Sequence, residues 1–282
     1  MFPYPVSFIT NSIGGGLDNT YSLAFDGVDD FVDTGITTTG TNDVSISCWI
    51  KTSETFASSE SRCAFGGIDL TFGANYTLGR LGSEFGSPDD MKVRVFNTFG
   101  TTKLNDNSWH NIIYTYDYTS KEVKVYVDGN TTPEISATVS LFRSKKIAIG
   151  WNGTTSSYHF EGNVDECAYF TSILGASDIT SIYNSGEPAD LTPLSPVGWW
   201  RIGEDATFST NWSLPDNGSG SNTGTSANMT IADLEGNAPN YTGGGLSANM
   251  TIEDRVGDAP NSTSNALSYN MTESDRETDV PT

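Results

Sequence analysis

Apolar and polar positions alternate along short stretches of this chain. The clearest case is EVKVYVDG, where Val123, Val125 and Val127 alternate with Glu122, Lys124 and Tyr126, the period of a strand with one buried face. Before it, Trp109, Ile112, Tyr114 and Tyr116 lead into a polar turn over Asp117 to Lys121, so residues 107–129 read as a hairpin closed by Asp128-Gly129. VSISCWIK alternates in the same way, with Val44, Ile46, Cys48 and Ile50 on one face and Ser45, Ser47, Trp49 and Lys51 on the other. YSLAFDG, DFVDTG, KKIAIGWNG and YHFEGNVDECAYF add further strands, the last as a pair or as one bent strand. Weaker candidates are Arg62 to Gly66, Ala74 to Leu78 and Met91 to Phe96, with turns at Gly66-Gly67, Gly82-Ser83 and Ser87 to Asp90. One short helix is predicted, with Ser177 as N-cap, Ile179, Ile182 and Tyr183 as its apolar stripe and Gly186 as its end.

The pattern divides the chain of 282 residues into three parts. Residues 1–20 read as an extended N-terminal arm, Pro-rich and ending in Gly14-Gly15-Gly16, either an edge strand or a docking arm for a neighbouring protein. Residues 21–204 hold the strands, with a Pro-rich connector over 186–196 and a last apolar strand over 197–204. Residues 205–282 form a polar, turn-rich tail. Ser226-Ala227-Asn228-Met229-Thr230-Ile231 recurs from Ser247, and in weaker form from Ser268, a spacing of 21 residues, with Asp233, Asp254 and Asp275 and then Pro239, Pro260 and Pro281 in phase. Each copy has too few large apolar residues to bury a core alone, so the copies are expected to lie against something else: the jelly roll, a second subunit or a lattice of other proteins.

Trp109-His110, the strand ending Tyr114-Thr115-Tyr116-Asp117 and the following Val-Tyr-Val-Asp-Gly resemble the central hairpin of LamG-like jelly rolls, within the concanavalin A-like lectin/glucanase group. Ser22 to Asp33 resembles that family's opening strand pair, and Gly162 to Phe170 with Tyr183 to Gly186 its closing strand and helix. The resemblance, covering about residues 21–186, implies an all-β fold: an antiparallel two-sheet jelly-roll sandwich, here with a repeated tail. It leaves function open, because this fold carries lectins, hydrolases and structural modules. The tail is also similar in texture and phrase to the ends of LamG-domain virion proteins of marine tailed phages.

Charge and composition narrow the partners. A formal charge of -21 argues against nucleic acid, whose phosphates require clustered Lys and Arg, and against anionic membranes. No run reaches the roughly 18 apolar residues of a membrane span, and the N-terminal stretch lacks the basic start of a secretory signal. Cys48, Cys63 and Cys167 are odd in number, two of them within strands, which predicts buried thiols rather than disulfides and synthesis in a reducing cytoplasm. The Asn-x-Thr sequons at Asn228, Asn249 and Asn270 then follow from composition rather than glycosylation.

Four kinds of chemistry merit weighing. Retaining glycoside hydrolysis needs two carboxyls about 5 to 5.5 Å apart. The nearest candidate, Glu161 to Glu166, departs from the Glu-x-Asp-x-x-Glu of the related glucanases, and Asp165 and Glu166 are expected on opposite faces, so no catalytic residue is assigned. His110 belongs to the resembled scaffold pair, and no metalloprotease, esterase or nucleotide-binding motif occurs. The family resemblance implies a structural Ca²⁺ with Asp165 as carboxylate and Asp26, Gly27 or Asp30 supplying neighbouring oxygens; ordinary turn hydrogen bonds would explain the same aspartates. A sugar site would use Trp151, Asn152 and Tyr158 in the loop 151–158, an aromatic among small polar residues, though such rings also serve as rim packing. Together these features predict a non-enzymatic virion structural protein of a tailed phage, a head decoration or outer fibre displaying a lectin-like jelly roll, with other virion proteins and itself as partners. The alternative is a carbohydrate-binding module for host or environmental glycans.

Overall fold

The computed structural model describes residues 17–55, 61–69, 76–84, 87–139, 146–151 and 158–239. The arm residues 1–16, Asn152 and the second and third repeat copies lie outside the described residues. Two antiparallel sheets face each other across one core. The first runs in the order β10 (Ile135–Thr138), β9 (Glu122–Val127), β8 (Trp109–Asp117), β3 (Val44–Lys51), β12 (Glu161–Phe170), β1 (Ser22–Asp26) and β17 (Leu234–Glu235), with β13 (Gly198–Trp200) also paired to β12. The second runs β14 (Thr207–Phe208), β15 (Trp212–Leu214), β16 (Gly224–Ala227), β2 (Phe31–Thr37), β11 (Lys146–Ile149), β4 (Ser61–Asp69), β5 (Tyr76–Glu84), β6 (Ser87–Val95) and β7 (Thr98–Phe99).

The central hairpin forms in the predicted register, from Ile112 opposite Val127 to Asp117 opposite Glu122. Its turn is held by the Asp117 carboxylate, whose Oδ1 accepts the N–H groups of Thr119 at 2.7 Å and Ser120 at 2.9 Å, while Lys121 takes φ 61°. Val123, Val125 and Val127 enter the core beside Ile112, Tyr114 and Tyr116; Phe65 and Trp212 reach it from the facing sheet, and Trp200 of β13 and Phe160 just before β12 complete it. Full burial stabilises each such aliphatic or aromatic side chain by about 1.5–3 kcal/mol.

The second face of β3 is buried as well, for a reason its alternation hides. Helix α1 (Ala176–Tyr183) lies over it, with Ile179 and Ile182 packed on Ile113, Ala168, Phe170 and Trp199. Ser45 donates from Oγ to the Ser172 carbonyl at 2.7 Å and accepts the Leu174 N–H at 3.1 Å, and Trp49 stacks on Tyr183 at 5.7 Å. The helix begins earlier than Ser177: its N-cap is Gly175, which donates its N–H to Asp178 Oδ2 at 2.8 Å, and it ends at Asn184 with φ 45°. An aspartate at the third helical position closes the first turn without a capping hydroxyl.

β5 and β6 run straight through the expected turns at Gly82-Ser83 and Ser87 to Asp90. At the crossing of β4 and β5, Gly66 (φ +148°) and Gly79 (φ +82°) face each other so closely that a Cβ on either would strike the other strand's carbonyl. Beyond residue 204 the first repeat copy finds the surface it needs in the sandwich itself. Residues 224–227 insert as β16 beside β2, and Leu234–Glu235 pairs with β1 in the other sheet, so the first repeat copy is built into the sandwich.

Candidate functional site

The candidate sugar loop is pinned at both ends. Gly150, at φ +76°, donates its N–H to Ala64 O at 2.7 Å and accepts from Phe160 N at 2.9 Å, and Cys63 N donates to Tyr158 O at 3.0 Å. Any Cβ at Gly150 would strike the Phe25 ring, so glycine is required where β11 runs into the loop. The half-buried Trp151 follows directly. Its ring is nearly parallel to that of His159, 5.7 Å away with an interplanar angle of 9°, and tilts against Phe31 at 4.8 Å. Tyr158 is also half-buried and takes φ 74°. The result is an aromatic patch of Phe31, Trp151 and His159 at the strand ends. His159 and Phe31 escaped the sequence reading because only the fold brings them against Trp151.

The acidic turn between β1 and β2 adjoins this patch, since His159 Nδ1 lies 3.3 Å from the Asp30 carbonyl oxygen. Carboxylate oxygens of Asp26, Asp29 and Asp30 lie within 4.8 Å of one another. Asp26 Oδ1 accepts the N–H of Val28 at 2.8 Å and of Asp29 at 3.2 Å, and Asp30 Oδ2 accepts that of Asp26 at 3.1 Å. Burial pushes the Asp30 carboxyl up to about 6, with the charges of Asp26, Asp233 and Asp29 adding to the shift. This set of hard, crowded oxygens, one of them reluctant to ionise, suits a Ca²⁺ ion, which would relieve the repulsion.

Asp165 is not part of that group. Asp26 lies opposite Glu161 in the β1/β12 pair, and four further residues along β12 place Asp165 roughly 13 Å away at the usual strand rise. The alternation of β12 also breaks there. The register with β3 shifts between Asp165 and Ala168, Glu166 takes φ 46°, and both acidic side chains end up buried, at 0 % and 3 % exposure. The expectation of opposite faces fails because a bulge adds a residue to the strand.

Around this bulge lies a second, internal cluster. Asp165 Oδ2 accepts from Asn19 Nδ2 at 2.9 Å, and its Oδ1 accepts the Glu166 N–H at 2.7 Å. Glu166 accepts from Trp199 Nε1 at 2.6 Å and Arg201 Nε at 3.3 Å. Glu204 Oε1 accepts the N–H groups of Thr20 and of Tyr21, the latter at 2.8 Å. Burial drives all three carboxyls upward: Glu166 to about 7 against the pull of Arg201, Glu204 to about 7, and Asp165 well above the carboxylate range with Glu166 and Glu204 adding to it. These groups clasp residues 18–21 to β12, and a substrate cannot reach them.

His110 sits in a scaffold role, with Nδ1 2.7 Å from Asp128 Oδ2 and Nε2 3.2 Å from Asp106 Oδ1. All three cysteines are buried and free. Among the described residues no helix is long and apolar enough to cross a membrane.

The family model Laminin_G_3, of the concanavalin A-like lectin/glucanases superfamily, matches residues 26–180, just over half of the chain. A protein from Bacteroides ovatus assigned to carbohydrate binding superposes with a TM-score of 0.57 at 15 % identity, over 79 % of this chain and 62 % of its own length. The chain thus spans less than two thirds of that protein. The heptameric SAP-like pentraxin of Limulus polyphemus (TM-score 0.44, 10 % identity, 60 % of this chain and 84 % of that one) is a further neighbour. So is domain 4 of the GH43 extracellular arabinanase AbnA of Geobacillus stearothermophilus, solved with arabinotriose (0.41, 19 %, 57 % and 76 %). No match was found among the curated proteins.

Proposed function

The chain belongs to the Laminin_G_3 family of the concanavalin A-like lectin/glucanases superfamily, and we propose that it is a non-catalytic protein whose jelly roll binds carbohydrate at the Phe31–Trp151–His159 patch. The observation that carries this is Trp151, half-exposed and braced by a parallel His159 ring at 5.7 Å. An indole held rigidly at a strand end offers a flat apolar face to the C–H face of a sugar ring, and the aspartates and carbonyls beside it offer hydrogen-bond acceptors for its hydroxyls. The Bacteroides ovatus neighbour's assignment to carbohydrate binding supports the same reading. The carboxylates nearest to a glycosidase pattern, Asp165 and Glu166, make internal contacts with Asn19, Trp199 and Arg201.

A Ca²⁺ ion at Asp26, Asp29 and Asp30 would stiffen the turn beneath the patch and present a coordinating charge to sugar hydroxyls. Removal of divalent ions with EDTA lowers the melting temperature and Asp30→Asn abolishes that sensitivity; a transition unmoved by either treatment refutes the ion.

A broad glycan array with the intact chain tests the main proposal, together with an assay for reducing ends released from algal and bacterial polysaccharides. Binding without turnover is expected, and silence across the array or steady release of reducing ends overturns it. A second reading places the chain on the particle of a tailed phage, as a head decoration or outer fibre bound to other virion proteins. The repeated acidic tail favours it, because the first copy already acts as a docking segment. Quantitative mass spectrometry of purified particles decides: hundreds of copies indicate the head, tens a fibre, and absence removes the reading.

A further inference from the structure

The first repeat copy is held in a formed groove. Its strand β16 lies between β15 and β2, with Trp212 N donating to Ser226 Oγ at 2.8 Å and Thr225, Ser226 and Ala227 opposite Asp33, Val32 and Phe31. Asn228 Nδ2 donates to the Asp29 carbonyl at 2.9 Å, Met229 is buried in the core, and Thr230 O accepts Trp212 Nε1 at 2.8 Å. Asp233 caps the turn that follows, accepting the Thr230 N–H at 2.5 Å.

The residues making these contacts are the ones the repeat retains. Ser226, Asn228, Met229, Thr230 and Asp233 return as Ser247, Asn249, Met250, Thr251 and Asp254, and again as Ser268, Asn270, Met271, Thr272 and Asp275. Two kinds of position change: on the docking strand Thr225 becomes Leu246 and Leu267 and Ala227 becomes Tyr269 in the third copy, and beyond it the buried Leu234, paired to β1, is replaced by Arg255 and Arg276. The Ser, Asn, Met, Thr and Asp that make the side-chain contacts recur in all three copies, while each chain has one such groove among its described residues.

We propose that this groove is a binding site for the Ser-x-Asn-Met-Thr unit, and that the second copy, residues 247–260, fills it on a second copy of the chain. Within one chain the first copy holds the groove, because residues 215–223 tether it directly to β15 at an effective concentration on the order of millimolar. A neighbour's second copy supplies the same serine, amide, methionine and threonine, and lacks the contacts of Leu234 and Glu235, where it carries Arg255 and Val256. Exchange therefore sets in where chains are packed at comparable local concentration, the low-cost route to association by swapped identical elements. It stands independently of glycan recognition.

The test mixes two full-length single variants, Asp33→Cys and Leu246→Cys. Thr225 lies directly opposite Asp33, and Leu246 occupies the position of Thr225 in the second copy, so a docked neighbour brings the two thiols into disulfide range. Under mild oxidation, heterodimers linked 33–246 should exceed by at least tenfold those formed when Ser262→Cys replaces Leu246→Cys. They should increase further when the Asp33→Cys chain also carries Met229→Ala, which loosens its own first copy. Asp33→Cys with Thr225→Cys in one chain should close an internal disulfide and checks the register. Heterodimers no more frequent than the Ser262→Cys control, or indifferent to Met229→Ala, overturn the proposal, as does failure of the internal pair to close.

Discussion

Stability should fall as pH rises from 5 to 8, with the buried carboxyls at the β12 bulge as one principal source and Glu54 and Asp30, which burial raises to about 7 and about 6, adding in the same direction. Glu166 and Glu204 ionise near 4.5 when exposed and near 7 in the fold, in each case because burial penalises the charge. Between those values the folded chain keeps protons that the unfolded chain has released, so each unit of rising pH costs stability; below about 4.5 both states are protonated and the contribution is complete. A shift from 4.5 to about 7 corresponds to roughly 3 kcal/mol at 1.36 kcal/mol per unit. Because Asp165, Glu166 and Glu204 face one another around a single Arg201, the loss is shared and is counted once, at roughly 3 kcal/mol for the set. His110 works in the same direction: burial pulls it down, but Asp128 and Asp106 outweigh burial and leave it raised, so its contribution is also lost as pH rises. For a domain of this size the bulge carboxyls alone lower the melting temperature by about 6–12 °C between pH 5 and 8, and His110, Glu54 and Asp30 deepen the fall. Calorimetry in a chelating buffer reads this directly, and Glu204→Gln should flatten the profile. A melting temperature that is level or rises from pH 5 to 8 refutes the assignment of these carboxyls as neutral, internal groups.

Other perturbations have equally definite outcomes. Gly79→Ala forces a Cβ into the Phe65 carbonyl at φ +82° and should cost at least about 3 kcal/mol, seen as a lowered urea midpoint or insoluble expression. Met229→Ala should cost about 2–4 kcal/mol if the first repeat copy is part of the cooperative fold, and a loss under 0.5 kcal/mol would show it to be an appendage.

The strands that alternate cleanly were legible before any coordinates, and the β8–β9 hairpin, β3 and β12 appear where the pattern placed them. Alternation fails where both faces are covered or where a strand is short. GTSA and LE carry no period, so β16 and β17 could not be seen in the sequence, although the repeat announced that the segment needed a surface to lie on. β5 and β6 are longer than their sequence suggests because their glycines and aspartates resemble turns, whereas Gly79 serves a close approach to β4 and the other positions stay within the strands. The clasp of Asp165, Glu166 and Glu204 was hidden for another reason: a bulge reverses the facing of residues, and sequence period carries no sign of it. Trp151 stood out as an aromatic in a Gly-, Asn- and Thr-rich loop. Its partners Phe31 and His159 come from separate strands and loops that only the fold brings together.

Isothermal titration of the intact chain and of Trp151→Ala with the strongest ligand from the array tests glycan recognition at the aromatic patch most directly. The account predicts 1:1 binding by the parent and a loss of at least tenfold in the variant, measured at a temperature well below the melting transition of both proteins, since losing the contacts with Phe31 and His159 lowers that of the variant. Equal affinity in the two proteins would place carbohydrate recognition, and with it the purpose of the stacked rings, somewhere other than this patch.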